Sequence, residues 1–270
     1  MERVTPGRAW ALHHVDAIRR IESAAGAAPP PPALLQGAGP GGARLALALS
    51  PHDPRFWIAC GPGNNGGDGF EAAMHLKAWG CEPLVTCLGQ EDRLPPDARA
   101  SLARARGAGV SFVDTPPAHY GLAIDALFGI GSRRPLEGRA DAWRGHMNAG
   151  AAAGAPVLAV DLPSGLDADT GTGEAVQARH TLTLLALKPG LFTAGGRDAA
   201  GEVWLDDLGV AVQEPPTAAL IAAPRGFDRP HSSHKGSWGD VAVLGGAPGM
   251  RGAALLAARA ALHAGAGRLV

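Results

Sequence analysis

The sequence predicts a three-layer α/β/α fold around a mostly parallel sheet, and three observations carry that reading. From Arg55 onward, short apolar runs of strand type alternate with helical stretches, the pattern of parallel strands joined by crossover helices. A glycine-rich turn, Gly61-Pro62-Gly63-Asn64-Asn65-Gly66-Gly67-Asp68-Gly69, separates the first of these strands from the first helix. Two later strands also run into polar loops, as strands do where an open sheet binds a ligand beyond their carboxyl ends.

The elements follow in order. Residues 7–25 carry Val15, Ile18, Ile21 and Ala25 at helical spacing, and Gly26 marks a stop. Pro29 to Pro32 form a stiff connector, and Ala43 to Leu49 read as a second, alanine-rich helix. Then come a strand at 55–60, a helix at 66–79, a strand at 82–88, a helix at 95–107 and a strand at 110–113. The series continues with a strand at 121–128, a helix at 138–153, and strands at 156–161, 180–185 and 201–206. Residues 1–212 are thus expected to form one domain, and 213–238, rich in Pro, Ser, His and Gly, a linker. Within 239–270, a strand at 239–244 and a helix at 251–264 predict the first βα unit of a second domain, with an apolar helix face left uncovered.

Composition narrows the function classes. A 46% hydrophobic, 18% charged chain of 270 residues is globular, and a net charge of −1 gives no electrostatic case for nucleic acid or an anionic membrane. No apolar run reaches membrane-spanning length. Cys60, Cys81 and Cys87 are too few and too irregularly spaced for a disulfide framework or a zinc site, and they predict reduced thiols in a cytoplasmic protein. The oligomeric state is left open, a homo-oligomer included. Basic residues are nearly all arginine, the lysines being Lys77, Lys188 and Lys235.

Five glycines among the nine residues from Gly61 to Gly69 let the backbone approach a ligand closely, and a helix start there offers N–H donors. Gly61 to Gly66 match the dinucleotide-binding spacing, but Asp68, expected in the helix's first turn, would repel a pyrophosphate. A cation removes that conflict, and the amide oxygens of Asn64 and Asn65 are hard ligands for K⁺ or Mg²⁺. The alternative is a plain helix cap at Asp68. Asp125 and Asp161 stand at two further strand ends, followed by Gly129-Ile130-Gly131-Ser132-Arg133-Arg134-Pro135 and by Leu162-Pro163-Ser164-Gly165. Together with the asparagines they form a cluster of acids and amides that is costly without a cation or a hydrogen-bonding substrate. Ser164 lacks the glycine two positions before it that a nucleophile elbow requires.

Three long motifs in order, GPGNNGGDG, DALFGIGSRRPLEG and VDLPSGLDADTG followed by KPGL, resemble the NAD(P)H-hydrate (NAD(P)HX) epimerase family. The stretch from His234, HKGSWGDVAVLGGAPGMRGAALLAARAALHAGAG, is similar to the opening of the ADP-dependent NAD(P)HX dehydratase that follows the epimerase in bifunctional forms. The resemblance implies a Rossmann-like first domain and the first βα unit of a ribokinase-like one. Its implied reaction interconverts the R and S epimers of NAD(P)H hydrated at C6 of the nicotinamide. It implies substrate contacts at Asn64, Asn65, Gly66, Gly67 and Asp68, at Gly129 through Pro135 and at Asp161. Because a change of configuration at C6 moves protons, the carboxylate of Asp161 at a strand end is expected to carry the catalytic acid–base role. The resemblance also implies K⁺ at Asn65, Asp125 and Ser164, and ADP with Ala253 for the dehydratase of a full-length parent. The chain departs from the family pattern at Leu34-Leu35-Gln36-Gly37-Ala38-Gly39, where an L-M-E-x-A-G-like stretch is expected.

Two other readings compete. A nicotinamide-dependent dehydrogenase would use Gly61 to Gly66 with Glu91 or Asp92 on the ribose, and leaves Asp125 and Asp161 unexplained. A non-catalytic binding module of the same fold need not keep Asn65, Asp68, Asp125, Asp161 and Ser164, all of which are present.

Overall fold

The computed structural model describes every residue except 28–33, 133, 225, 227 and 228, together with the side chains of all but these and residues 27 and 34–36. The proline connector therefore lies outside the described residues. The chain divides into two compact units, Met1–Ala223 and Pro224–Val270.

In the first unit the elements are β1 (Glu2–Arg3), β2 (Trp10–Leu12), α1 (Val15–Ala27), α2 (Leu34–Leu49), β3 (Arg55–Cys60), α3 (Asn64–Ala78), β4 (Glu82–Cys87), α4 (Pro96–Gly107) and β5 (Ser111–Phe112). There follow β6 (Leu122–Ala126), α5 (Arg139–Ala152), β7 (Val157–Val160), β8 (His180–Leu184), α6 (Gly196–Ala199), β9 (Glu202–Asp206) and β10 (Ala218–Leu220). Eight strands form one sheet in the order β1-β9-β8-β7-β6-β3-β4-β5. Every pairing in it is parallel except β1 with β9.

The strands are apolar along their whole length because both faces are covered. On β3, Phe56, Ile58 and Cys60 pack with Phe70 and Leu76 of α3 and Leu102 of α4. Trp57 and Ala59 turn to the opposite layer, with Trp143 and Met147 of α5. From β3 the chain steps outward through β4 and β5, then returns to place β6 on the other side of β3. That reversal makes the β3–β6 boundary the switch point at which open α/β sheets bind ligands.

Three differences from the sequence reading have physical causes. The leading helix begins at Val15, because Trp10–Leu12 is a strand that alternates buried, exposed, buried and pairs antiparallel with β10. That pairing carries the first unit to Ala223, past residue 212, where its composition starts to look like a linker. The second helix is longer than its alanine-rich end and contains Pro40.

The second unit contains β11 (Asp240–Val241), α7 (Arg251–His263) and β12 (Arg268–Leu269), with β11 and β12 parallel. It is a small βαβ unit. Leu255 and Leu256 of α7 are 66% and 69% exposed. Ala253 is an exposed residue of α7.

Candidate active site

The glycine-rich turn follows β3 directly, and α3 starts at Asn64 with Gly63 in extended backbone as its cap. The helix therefore begins two residues earlier than the sequence suggests. Asp68 lies one full turn inside α3 and is not a cap; no acidic residue occupies the first turn. Gly66 sits where a Cβ would fall 2.1 Å from the Gly61 carbonyl oxygen, so the turn closes only with glycine there. Asn65 is 9% exposed, and its Oδ1 and Nδ2 are buried with no hydrogen-bond partner among the described residues. An unpaired buried amide is costly, by about 1–3 kcal/mol per group, and marks a place where something polar is to be bound.

Asp125, near the end of β6, is completely buried. One carboxylate oxygen accepts the Ser164 hydroxyl at 2.7 Å and the Leu127 N–H at 3.2 Å, and the other accepts the Ser164 N–H at 2.8 Å. Ser164 Oγ in turn accepts the Phe128 N–H at 2.9 Å. Burial pushes the Asp125 pKa up to about 6 against the pull of these hydrogen bonds. The loop after β6 is thereby tied to the loop after β7. Ser164 acts as a clamp on a carboxylate, which also disposes of it as a hydrolytic nucleophile.

Asp161 follows β7 in the left-handed region, with φ 70°, and the Leu162 N–H bonds the Val160 carbonyl at 3.0 Å around it. This is a γ-turn of the rare, strained kind. The neighbouring strand β8 ends the same way, with Leu185 at φ 62° and the Ala186 N–H on the Leu184 carbonyl at 2.7 Å. Into the gap between the two turns comes Lys188, 1% exposed. Its ammonium donates to Asp161 Oδ1, to Thr183 Oγ1 at 2.9 Å and to the Leu184 carbonyl at 2.8 Å, which uses all three of its protons. Asp161 Oδ2 accepts the Ile130 N–H at 3.3 Å. A Cβ on Gly129 would lie 2.9 Å from that oxygen and 3.6 Å from the Asn65 side chain, so glycine lets these two groups approach each other.

These loops surround a cavity of about 1140 Å³, above the roughly 300–1,000 Å³ of common small-molecule sites. Asn64, Asn65 and Asp68 line it from the first loop, Gly129, Ile130, Gly131, Ser132 and Arg134 from the second, and Asp161 from the third. Gly66 and Gly67 are buried in α3, Asp125 and Ser164 lie in the protein interior, and Pro135 is exposed outside the lining. Arg133 falls outside the described residues. Ala253, in the second unit, belongs to a different body from these loops.

Three groups carry no role in the sequence reading. Lys188 stands in the sequence as the first residue of the KPGL segment, with no role given to it; a point-like ammonium fits three converging acceptors, and a planar guanidinium does not. Glu22, an exposed residue of α1, also lines the cavity, and partial loss of water together with the Asp161 charge pushes its carboxyl pKa up. Arg104 of α4 lines it too, held by the buried Glu71. By contrast, Glu91 and Asp92, the ribose acids of the dehydrogenase reading, are exposed beyond β4 and outside the lining, with Glu91 paired to Arg106 at 2.5 Å.

A family model described as YjeF-related protein N-terminus matches residues 32–190, which include all three loops and Lys188. The chain belongs to this family. Among curated relatives of this YjeF-related domain, the bifunctional NAD(P)H-hydrate repair enzyme Nnr of Escherichia coli is 40% identical over 230 residues, 80% of this chain and 44% of that protein. The NAD(P)H-hydrate epimerase of Achromobacter xylosoxidans is 43% identical over 176 residues, 63% of this chain and 77% of that protein. The chain thus spans less than half the length of its bifunctional relative. The crystal structure of yeast ynu0, YNL200c, superposes with a TM-score of 0.60 at 19% identity, covering 77% of this chain and 95% of that one, which supports the fold.

Proposed function

We propose that the first unit interconverts the R and S epimers of hydrated NADH and NADPH, a metabolite-repair isomerase. The observation that carries the reading is the partly charged, partly amide-lined cavity at the β3–β6 switch point, in a chain 43% identical to an NAD(P)H-hydrate epimerase across most of that protein. Its size suits a dinucleotide. Arg104 and Arg134 on the wall offer charge to phosphates, while Asn65 and Asp161 flank Gly129 on the inner side, where a carboxamide-bearing ring can hydrogen-bond.

Asn65, Asp125 and Ser164 fit a K⁺ ion. Their donors are all oxygens, the Asn65 amide is buried with nothing to bond, and the Asp125 carboxylate is buried with no cation beside it. When bound, K⁺ would supply charge neutralisation beneath the loops. The chain's own residues do the rest. Asp161, hydrogen-bonded by the Lys188 ammonium and the Ile130 N–H, takes a proton from the substrate hydroxyl. In a longer parent with a complete second domain, ADP-dependent dehydration of the S hydrate would follow.

The test is to feed the chain a mixture enriched in one NADHX epimer and follow its equilibration by NMR or chromatography. Asp161→Asn should cost about 10²–10⁴-fold in rate with substrate still bound. Absence of interconversion by the parent chain in K⁺ buffer would sink the reading.

A further inference from the structure

Two carboxyl groups that line the same cavity are held in opposite ways. Asp161 is fixed by the Lys188 ammonium and by the N–H groups of Ile130 and Leu184, the last at 3.5 Å. Asp68 is 8% exposed, lines the cavity, and has no hydrogen-bond partner among the described residues. Around it stand Asp161, Glu71 and Glu22, with Lys188 as the opposing charge. Burial in the cavity wall, and then the like charges around it, push its carboxyl well above the usual carboxylate range. Facing the cavity, with no partner among the described residues, it is open to a ligand there.

We propose that Asp68 is the proton donor that complements Asp161 as acceptor, with Lys188, bonded to Asp161, as the positioning residue of the pair. The inference rests on the epimerase reading. The hydrated carbon C6 carries a hydroxyl and is bonded to the ring nitrogen N1. Asp161 takes the hydroxyl proton, the O–H pair forms the C=O bond of an aldehyde, and the C6–N1 bond breaks. Its electron pair goes to N1, which receives the Asp68 proton. Rotation about the C5–C6 bond presents the other face of the aldehyde. N1 then adds to C6 and returns its proton to Asp68 as Asp161 returns its proton to oxygen. Every bond broken is remade and both carboxyls end as they began, so no co-reactant is needed. Pairs of acids whose surroundings drive their protonation apart are how sites of this kind separate donor from acceptor.

The experiment compares the parent with Asp68→Asn and Asp68→Ala on a single NADHX epimer. Both variants remove a carboxyl that faces the cavity among like charges without a partner among the described residues, so their melting temperatures should equal or exceed the parent's. Their kcat should fall about 10²–10⁴-fold with KM little changed, and formate should restore part of the Asp68→Ala rate while a bulkier carboxylic acid does not. Asp68→Asn with near-parental kcat, a raised KM at unchanged kcat, or a lowered melting temperature with no formate rescue would each overturn the assignment. A parent chain that does not epimerise fails the functional reading itself, whereas an active parent with an active Asp68→Asn variant fails this inference alone.

Discussion

Lys188 holds Asp161 from inside the protein. The ammonium is all but unreachable by solvent, donates each of its protons to a fixed acceptor, and one of those acceptors is the carboxylate of a residue in a left-handed γ-turn. The strain of that turn and the burial of that charge are both costs, and the ion pair offsets them only while both partners are present. Two adjacent strands therefore end in a strained shape that presents one carboxylate to the cavity.

The first expectation follows from that pairing. Lys188→Met should destabilise the first unit by about 3–5 kcal/mol, because it leaves a buried carboxylate without its cation. Adding Asp161→Asn to it should recover much of the loss, since the pair is then removed as a whole. Urea denaturation of the two single variants and the double variant gives the coupling directly, and additive losses would show that the two residues stabilise the fold independently.

Cation dependence is a second expectation. Asp125 is pushed up to about 6 by burial, so near neutral pH it is mostly ionised and open to neutralisation by K⁺, while below that value a proton competes with the ion. Melting temperature should rise when K⁺ replaces tetramethylammonium, by an amount equivalent to roughly 2.7 kcal/mol at 100 times the dissociation constant. The gain should shrink on acidification through the Asp125 pKa, and should be lost in Asp125→Asn. An equal K⁺ effect in that variant would place the ion elsewhere.

Acid stability tests two buried histidines. His13 and His180 are buried, the Nδ1 of each lacks a hydrogen bond, and burial lowers both pKa values below 6.5. The unfolded chain then binds protons at a pH where the folded chain does not. Their contribution is present above about 6.5 and is lost as pH falls toward the lowered folded values, with a slope of at most about 1.4 kcal/mol per pH unit for each. Raised carboxyls such as Asp125 act with the opposite sign over the same range, so the histidine part is read as a difference: between about pH 7 and 5, His13→Gln should lose less stability, or gain more, than the parent. An unchanged slope would mean that His13 stays uncharged in both states or is solvated on folding.

The large features of the fold were legible because they rest on long periodic runs. The alternation from Arg55 to Asp206 and the glycine-rich turn give the sheet, its parallel sense and the place of the site. What was not legible is short or tertiary. β1, β10 and β12 are two or three residues long, with too few positions to show a period, and β2 is a strand only because β10 returns to it from more than 200 residues away. In the site, Asn65, Asp68, Asp125, Asp161 and Ser164 announced themselves through their loops, whereas Lys188 stood in the KPGL segment without a role and Glu22 did not stand out at all. Lysine after a strand and glutamate on an amphipathic helix are ordinary surface patterns, and only the folded chain brings them to the cavity wall.

The last expectation concerns the second unit. All three loops, Lys188 and the cavity wall belong to Met1–Ala223, whose sheet is closed on one edge by β1 and whose last strand pairs within the same unit. Pro224–Val270 adds two short parallel strands and one helix, with Leu244 98% exposed and Leu255 and Leu256 largely so. An uncovered apolar helix face of this kind promotes self-association. Deleting residues 224–270 should therefore leave epimerisation intact within about twofold and the cooperative melt of the first unit unshifted, while lowering the tendency to aggregate. The same deletion tests the dehydratase side: the present chain, given ADP and the S hydrate, should release no NADH, because one βαβ unit provides no enclosed nucleotide site. Nucleotide-dependent dehydration by this chain, or loss of folding in the shortened one, would show that residues 224–270 are part of the working domain.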